Sequence, residues 1–165
     1  MVIVILLIIL IVVLVVMDIP RYCCIENQDI QTVDTVASGK KPEYDERVVI
    51  SLSTIPSRIE YMKPTLISLL DQRPKVVDEI AINIPKVSRK GSEYVIPDWM
   101  ENLQKVKIYR VEKDEGPGTK ILPTLRREDD DTLIIAVDDD MIYPSAMVNA
   151  LVKEYHKHSG MSAVS

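Results

Sequence analysis

Three consecutive aspartates, Asp138, Asp139 and Asp140, are the residues of this sequence with the clearest capacity for chemistry. Carboxylates so close together repel one another unless positive charge lies beside them. A hard divalent cation such as Mn²⁺ or Mg²⁺, held by one or two carboxylates and by phosphate oxygens, is a natural partner. Because alternate residues of an extended segment face the same way, Asp138 and Asp140 are predicted to share one metal site while Asp139 faces elsewhere. The alternative is a solvated acidic turn.

The segment Gly116-Pro-Gly-Thr-Lys120 is a second candidate for ligand binding. Glycine allows close approach of a ligand to the backbone, and Lys120 supplies a point charge that suits a phosphate group. The segment lacks the Walker pattern. An ordinary turn from a loop into a helix therefore explains it equally well.

Both candidates need a scaffold, and the hydrophobic pattern indicates one. Four runs have the length and apolar character of strands, namely Val48–Ser53, Glu79–Ile84, Val106–Val111 and Thr132–Val137. Helices are predicted from Pro64 to Leu70, from Thr119 to Arg126 and from Pro144 to His158, with a long loop at Lys86–Asn102.

This alternation of strands and helices predicts an α/β protein with a Rossmann-like open, mainly parallel sheet. The continuously apolar run Thr132–Val137 is predicted to be a strand buried on both faces. Ligands of such sheets bind beyond the carboxyl ends of the strands. The residues expected to line the site are therefore Thr54–Arg58, Asp114–Lys120 and Asp138–Tyr143.

Three segments in this order resemble those of nucleotide-sugar glycosyltransferases of the GT-A fold, and most closely the small bacterial and viral members. They are Ser-Thr-Ile-Pro-Ser-Arg at 53–58, Asp-Glu-Gly-Pro-Gly-Thr-Lys at 114–120 and Ile-Ile-Ala-Val-Asp-Asp-Asp-Met-Ile-Tyr-Pro at 134–144, the last with a D-x-D motif. The resemblance covers about residues 47 to 158. It implies a GT-A type sheet and transfer of a sugar from a nucleotide-sugar donor, with a UDP-sugar favoured.

The resemblance also implies roles for the residues that carry it. Thr54 and Arg58 are expected near the base or the diphosphate of the donor. Asp114 is expected to contact the nucleoside, with Lys120 near it or near the phosphates. Tyr143 is expected either in the pocket wall or in the core.

The D-x-D motif carries the expected metal site. Asp138 is expected to face the ribose or a metal-bound water, and Asp140 to ligate Mn²⁺ or Mg²⁺ directly. Replacement of Asp140 by alanine is then expected to abolish metal-dependent nucleotide binding. Replacement of Asp139 is expected to matter much less.

No catalytic base is identified, and the acceptor (a glycan, a protein or a lipid) stays open. Only 25 residues follow Asp140, so much of the acceptor-binding half of such enzymes is expected to be missing. One alternative is therefore a non-catalytic module that binds a nucleotide-sugar or a partner on the same fold. A less favoured alternative is a haloacid-dehalogenase-like phosphatase, because D-x-D followed by an aliphatic residue also fits its nucleophile loop.

The amino terminus and the net charge of the chain indicate its partners and its location. Residues 1–17 carry no polar or charged side chain, which predicts a transmembrane anchor whose orientation is left open. Residues 18–46 are predicted to be a stalk or linker, followed by the GT-A-like domain at 47–165. Net charge is −5, which argues against a nucleic-acid partner.

Overall fold

The computed structural model describes residues 24–38 and 45–157. All four predicted strands are present, as β1 (Val48–Leu52), β2 (Glu79–Pro85), β3 (Val106–Val111) and β4 (Leu133–Ala136). Every neighbouring pair is parallel, and the order across the sheet is β3-β2-β1-β4. The predicted α/β class with a parallel sheet is confirmed, and the four-stranded sheet is consistent with a Rossmann-like fold.

Five α-helices are described, namely α1 (Ile30–Ala37), α2 (Lys63–Leu70), α3 (Asp98–Glu101), α4 (Leu122–Arg127) and α5 (Met147–Lys157). Two short 3₁₀ helices cover Ile59–Tyr61 and Gly116–Lys120. The helix predicted from Thr119 to Arg126 is divided in two, because Pro117 and Pro123 each occupy the first turn of a separate helix. The loop predicted at residues 86–102 contains the short helix α3.

The centre of the sheet forms the core. All five residues of β1 are buried, and so are six of the seven residues of β2. Helix α2 covers this sheet with six consecutive buried residues, Thr65 to Leu70. Apolar side chains from α2 and from the sheet make one continuous cluster, as the core of an α/β domain requires.

Strand β4 differs from its prediction. It was expected to be buried on both faces, but it lies at the edge of the described sheet with only β1 beside it. Leu133, Ile134 and Ile135 are half-buried and Ala136 is exposed. The prediction is wrong because an apolar sequence allows a strand to be buried but does not determine how many neighbours it has. Among the described residues, β4 has a neighbouring strand on one side only.

Helix α1 lies within the stretch predicted as a linker. Ile30 and Ala37 are buried in the common core, and the helix packs against α2. Asp34 is also buried, and its carboxylate accepts hydrogen bonds from the backbone N–H groups of Gln104 (2.5 Å) and Lys105 (2.9 Å). The linker prediction is therefore wrong for this helix, which is part of the globular domain.

The predicted anchor at residues 1–17 lies outside the described residues. Within 24–38 and 45–157, no helix is both long and apolar enough to cross a membrane.

Candidate functional site

The connectivity of the sheet creates a crevice beside β1. The chain runs outward from β1 to β2 and β3, and then returns to place β4 on the other side of β1. Ligands of open α/β sheets bind at such a reversal of strand order, beyond the carboxyl ends of the strands. A cavity of about 740 Å³ opens at this edge. Its lining comes from the segments that follow all four strands.

Strand register brings the first and last segments together. Ser51 of β1 is paired with Ala136 of β4. Thr54 and Asp139 each lie three residues beyond these paired positions. The Thr54 hydroxyl donates a 2.5 Å hydrogen bond to Asp139 Oδ2. The two segments that the sequence singled out as candidates are thus joined by a direct contact.

The three aspartates alternate in their exposure. Asp138 and Asp140 are exposed, whereas the side chain of Asp139 is only 4% exposed. Besides its bond to Thr54, the Asp139 side chain forms an ion pair with Arg58 (Oδ1–Nη2, 3.0 Å). The backbone carbonyl of Asp139 accepts a hydrogen bond from the Thr65 hydroxyl of α2 (3.0 Å). Asp139 is therefore the residue that fixes the triplet to the domain.

Positive partners for the triplet come from the chain itself. Arg58 forks between two carboxylates, because its Nη1 also lies 2.8 Å from Asp140 Oδ2. Lys120 Nζ lies 2.9 Å from Asp138 Oδ1. Part of the positive charge that the sequence analysis assigned to a metal is therefore supplied by Arg58 and Lys120. Because Arg58 is shared by Asp139 and Asp140, three negative charges face two positive ones.

Tyr143 holds the start of the triplet through its phenol. The phenol oxygen accepts the backbone N–H of Asp138 (2.8 Å), and its O–H donates to the Asp138 carbonyl (3.2 Å). Burial raises the pKa of Tyr143, and the nearby carboxylates of the triplet add to the effect. Tyr143 thus positions Asp138 from behind and does not line the cavity.

Asp114 closes a loop in this structure. Its Oδ1 accepts the backbone N–H of Gly116 (2.8 Å), and its Oδ2 accepts the backbone N–H of Arg89 (2.8 Å). The side chain still lines the cavity. Both oxygens are nevertheless occupied by backbone donors, so Asp114 links the segment after β2 to the segment after β3. The contact with a nucleoside that the resemblance implies stays a prediction.

A buried polar cluster supports the segment that carries Lys120. The Ser51 hydroxyl donates to the Lys120 carbonyl (2.5 Å) and shares a hydrogen bond with the Thr124 hydroxyl (2.6 Å). Asn83 Nδ2 donates to Ser51 Oγ (3.2 Å) and to Thr124 Oγ1 (2.9 Å). These contacts connect β1 and β2 with α4 and the preceding 3₁₀ helix. They fix the backbone of Lys120 against the carboxyl end of β1.

The structure adds cavity residues that the sequence analysis did not select. Arg89, Lys90 and Tyr94 come from the segment after β2 and line the cavity. The Tyr94 hydroxyl donates to the Thr54 carbonyl (3.0 Å), and burial, followed by the charge of Asp114, raises its pKa. The signal was available, because the strand-end rule applies to β2 as well as to the other strands. The sequence does not distinguish these residues, because residues 86–102 are predicted to form one long loop.

The predicted metal ligands lie side by side without forming a preset metal cage. In the described part of the chain, no group of three or more histidine, cysteine, aspartate or glutamate side chains is arranged to hold a metal ion. Asp138 lines the cavity and Asp140 does not, although Arg58 joins Asp140 to the cavity wall.

Comparison of the chain with protein-family models, with curated proteins and with solved structures found no match. The resemblance of the three motifs to GT-A glycosyltransferases therefore stays a prediction.

Proposed function

We propose that this chain is a GT-A-type glycosyltransferase, or the donor-binding part of one, which binds a nucleotide-sugar at the carboxyl edge of its sheet. The observation that carries the proposal is the convergence of segments 53–58 and 114–120 with Asp138 and Asp139 on one cavity of about 740 Å³. This volume is in the usual range for a small-molecule site. A UDP-sugar is the favoured donor, and residues 1–17 are the proposed membrane anchor.

The donor chemistry of the aspartates fits a hard divalent cation. Asp138 and Asp140 offer carboxylate oxygens, which Mn²⁺ and Mg²⁺ prefer. Their side chains are 63% and 54% exposed, so both can be approached from solvent. When bound there, the cation offsets the negative charge that develops on a departing nucleoside diphosphate.

The protein is proposed to contribute to the reaction by placing basic side chains beside the phosphate groups of the donor. Transfer breaks the bond between the anomeric carbon of the sugar and the diphosphate oxygen, and it forms a bond from that carbon to an acceptor oxygen. Lys120 and Arg58 now pair with the carboxylates of the triplet. When Asp138 and Asp140 hold a cation, Lys120 and one Nη group of Arg58 become available to the phosphate oxygens of the donor. Arg58 keeps its ion pair with Asp139. The acceptor and the catalytic base are left unassigned.

Calorimetric titration tests the donor site. UDP is titrated into the full chain, kept in a non-ionic detergent because residues 1–17 are apolar, with either Mn²⁺ or EDTA present. We expect binding that depends on Mn²⁺ and that weakens at least about tenfold in Asp140→Ala, the loss of one charged ligand. Asp130→Ala is the matched control, because Asp130 is exposed and belongs to a second aspartate triplet at the opposite end of β4.

Two results would contradict the proposal. Equal UDP affinity in Mn²⁺ and in EDTA would show that nucleotide binding does not need the metal. A folded chain that binds none of UDP, GDP and dTDP would contradict the proposal that the cavity binds a nucleotide. Turnover is measured separately, as hydrolysis or transfer of a panel of UDP-sugars, because binding without turnover would identify a non-catalytic module.

A further inference from the structure

The segment after β2 forms a basic loop in the wall of the cavity. It closes on itself, because the Gly91 N–H donates to the Ser88 carbonyl (2.8 Å) and the Ser92 N–H donates to Ser88 Oγ (2.9 Å). Its position follows from register: Pro85 pairs with Val111, and the Asp114 carboxylate holds the Arg89 N–H. We call residues 88–92 the basic loop.

The basic loop supplies the unpaired positive charge of the cavity. Four basic side chains line the cavity, namely Arg58, Arg89, Lys90 and Lys120. Arg58 and Lys120 are engaged by the aspartate triplet. Arg89 and Lys90 are exposed, and neither forms an ion pair with a carboxylate in the described part of the chain. A cavity wall with two unpaired cations favours an anionic ligand at that wall.

Gly116 gives Arg89 its place. Its φ of +63° lies in the left-handed region that favours glycine. A Cβ added there would lie 2.8 Å from Arg89 Nη1, so the guanidinium lies directly over this glycine. The absence of a side chain at Gly116 therefore lets Arg89 lie against the segment that leads to Lys120.

We propose that Arg89, assisted by Lys90, binds the phosphate groups of the ligand from the wall formed by the basic loop. A planar guanidinium can hold two phosphate oxygens at once, and a lysine adds a point charge. The inference deepens the proposed function and rests on it for the identity of the anion. It assigns phosphate binding to residues outside the aspartate triplet.

The test uses inorganic pyrophosphate and UDP as probes, each titrated into the full chain in detergent. Pyrophosphate is measured in EDTA, so that no divalent cation contributes to its binding. We expect Arg89→Gln to weaken pyrophosphate binding about tenfold or more, the effect of one charge-assisted contact. Arg89→Lys is expected to restore part of the affinity. Lys107→Gln is the control, because Lys107 is exposed on β3, does not line the cavity and undergoes the same change of charge.

A second variant approaches Arg89 through its neighbour. Gly116→Ala is expected to weaken pyrophosphate binding as well, because the new methyl group displaces the guanidinium. Thermal unfolding by circular dichroism identifies any variant that is not folded. Since the Arg89 side chain is exposed, Arg89→Gln is expected to melt with the wild-type chain.

The outcomes separate this inference from the proposed function. A wild-type chain that does not bind pyrophosphate in EDTA, or an Arg89→Gln variant that binds it as tightly as wild type, overturns the inference even if Mn²⁺-dependent UDP binding is found. Loss of pyrophosphate binding in Arg89→Gln, in a chain that binds no nucleotide, supports the anion site and overturns the nucleotide-sugar function.

Discussion

Asp139 is predicted to be the member of the triplet that stability depends on. In Asp139→Ala, the buried Thr54 hydroxyl loses its 2.5 Å acceptor and Arg58 loses one of its two carboxylates. A hydrogen bond to a charged group contributes about 1.5–3 kcal/mol, and leaving a buried donor unpaired adds to the loss. The Arg58 side chain is 45% exposed, so its ion pair is screened and contributes at most about 1 kcal/mol. We therefore expect Asp139→Ala to lower the free energy of unfolding by about 2–4 kcal/mol.

Urea denaturation of the full chain, followed by far-ultraviolet circular dichroism, measures this loss. Asp139→Asn keeps an acceptor for Thr54 and loses only the charge, so we expect it to cost about 1 kcal/mol. Asp138→Ala and Asp130→Ala remove exposed carboxylates and are expected to stay within about 0.5 kcal/mol of wild type. An Asp139→Ala variant as stable as these two controls would refute the argument.

Two further predictions concern the stability of the fold. Asp34→Ala is expected to lower the free energy of unfolding by about 2–3 kcal/mol, because two backbone N–H groups lose a charged acceptor; a urea midpoint equal to wild type would contradict the docking of α1. The second prediction is alkaline destabilisation, because burial raises the pKa of three tyrosines above the usual value of about 10, namely Tyr94, Tyr109 and Tyr143. A raised folded-state pKa favours the neutral phenol, so this stability is complete below about pH 10 and is lost as pH rises through the folded-state pKa. Urea midpoints measured from pH 8 to 11 should fall, and they should fall less in Tyr143→Phe; a midpoint independent of pH over this range would count against it.

The strands could be predicted because their signal is local. Each is an apolar run that carries its own evidence, and the parallel order follows from the helices and loops between them. The edge position of β4 could not be predicted in this way. Its sequence is more continuously apolar than that of β3, yet burial depends on the neighbour that a strand acquires, and this is a property of the whole sheet.

Helix α1 was missed although part of its signal is present. Asp29 caps the helix by accepting the Thr32 N–H (3.0 Å), and Ile30 and Ala37 lie seven residues apart on its buried face. Asp34 also lies on that face and interrupts the apolar period. Its burial is explained only by backbone groups about 70 residues away, which no local pattern can reveal.

The alternation of the triplet could be predicted, but its partners could not. Asp138 and Asp140 are exposed and Asp139 is buried, as the alternation predicts, although Asp139 and Asp140 lie in a turn that follows β4. The contacts to Thr54 and Arg58 join residues more than 80 positions apart and depend on the register of β1 with β4. The same applies to the buried cluster around Asn83, since the pattern of an apolar strand does not show which polar groups meet across it.

The distribution of charge around the cavity is itself an argument about the ligand. On one side, three aspartates face two basic partners, which leaves one negative charge uncompensated. On the other side, Arg89 and Lys90 face the single carboxylate of Asp114, which leaves one positive charge in excess. An anion without a cation is expected to bind at the second wall alone, and a lone cation at the first wall alone. A ligand that carries phosphate groups together with a divalent cation matches both walls at once, and this is the form in which a nucleoside diphosphate is bound in the proposed function.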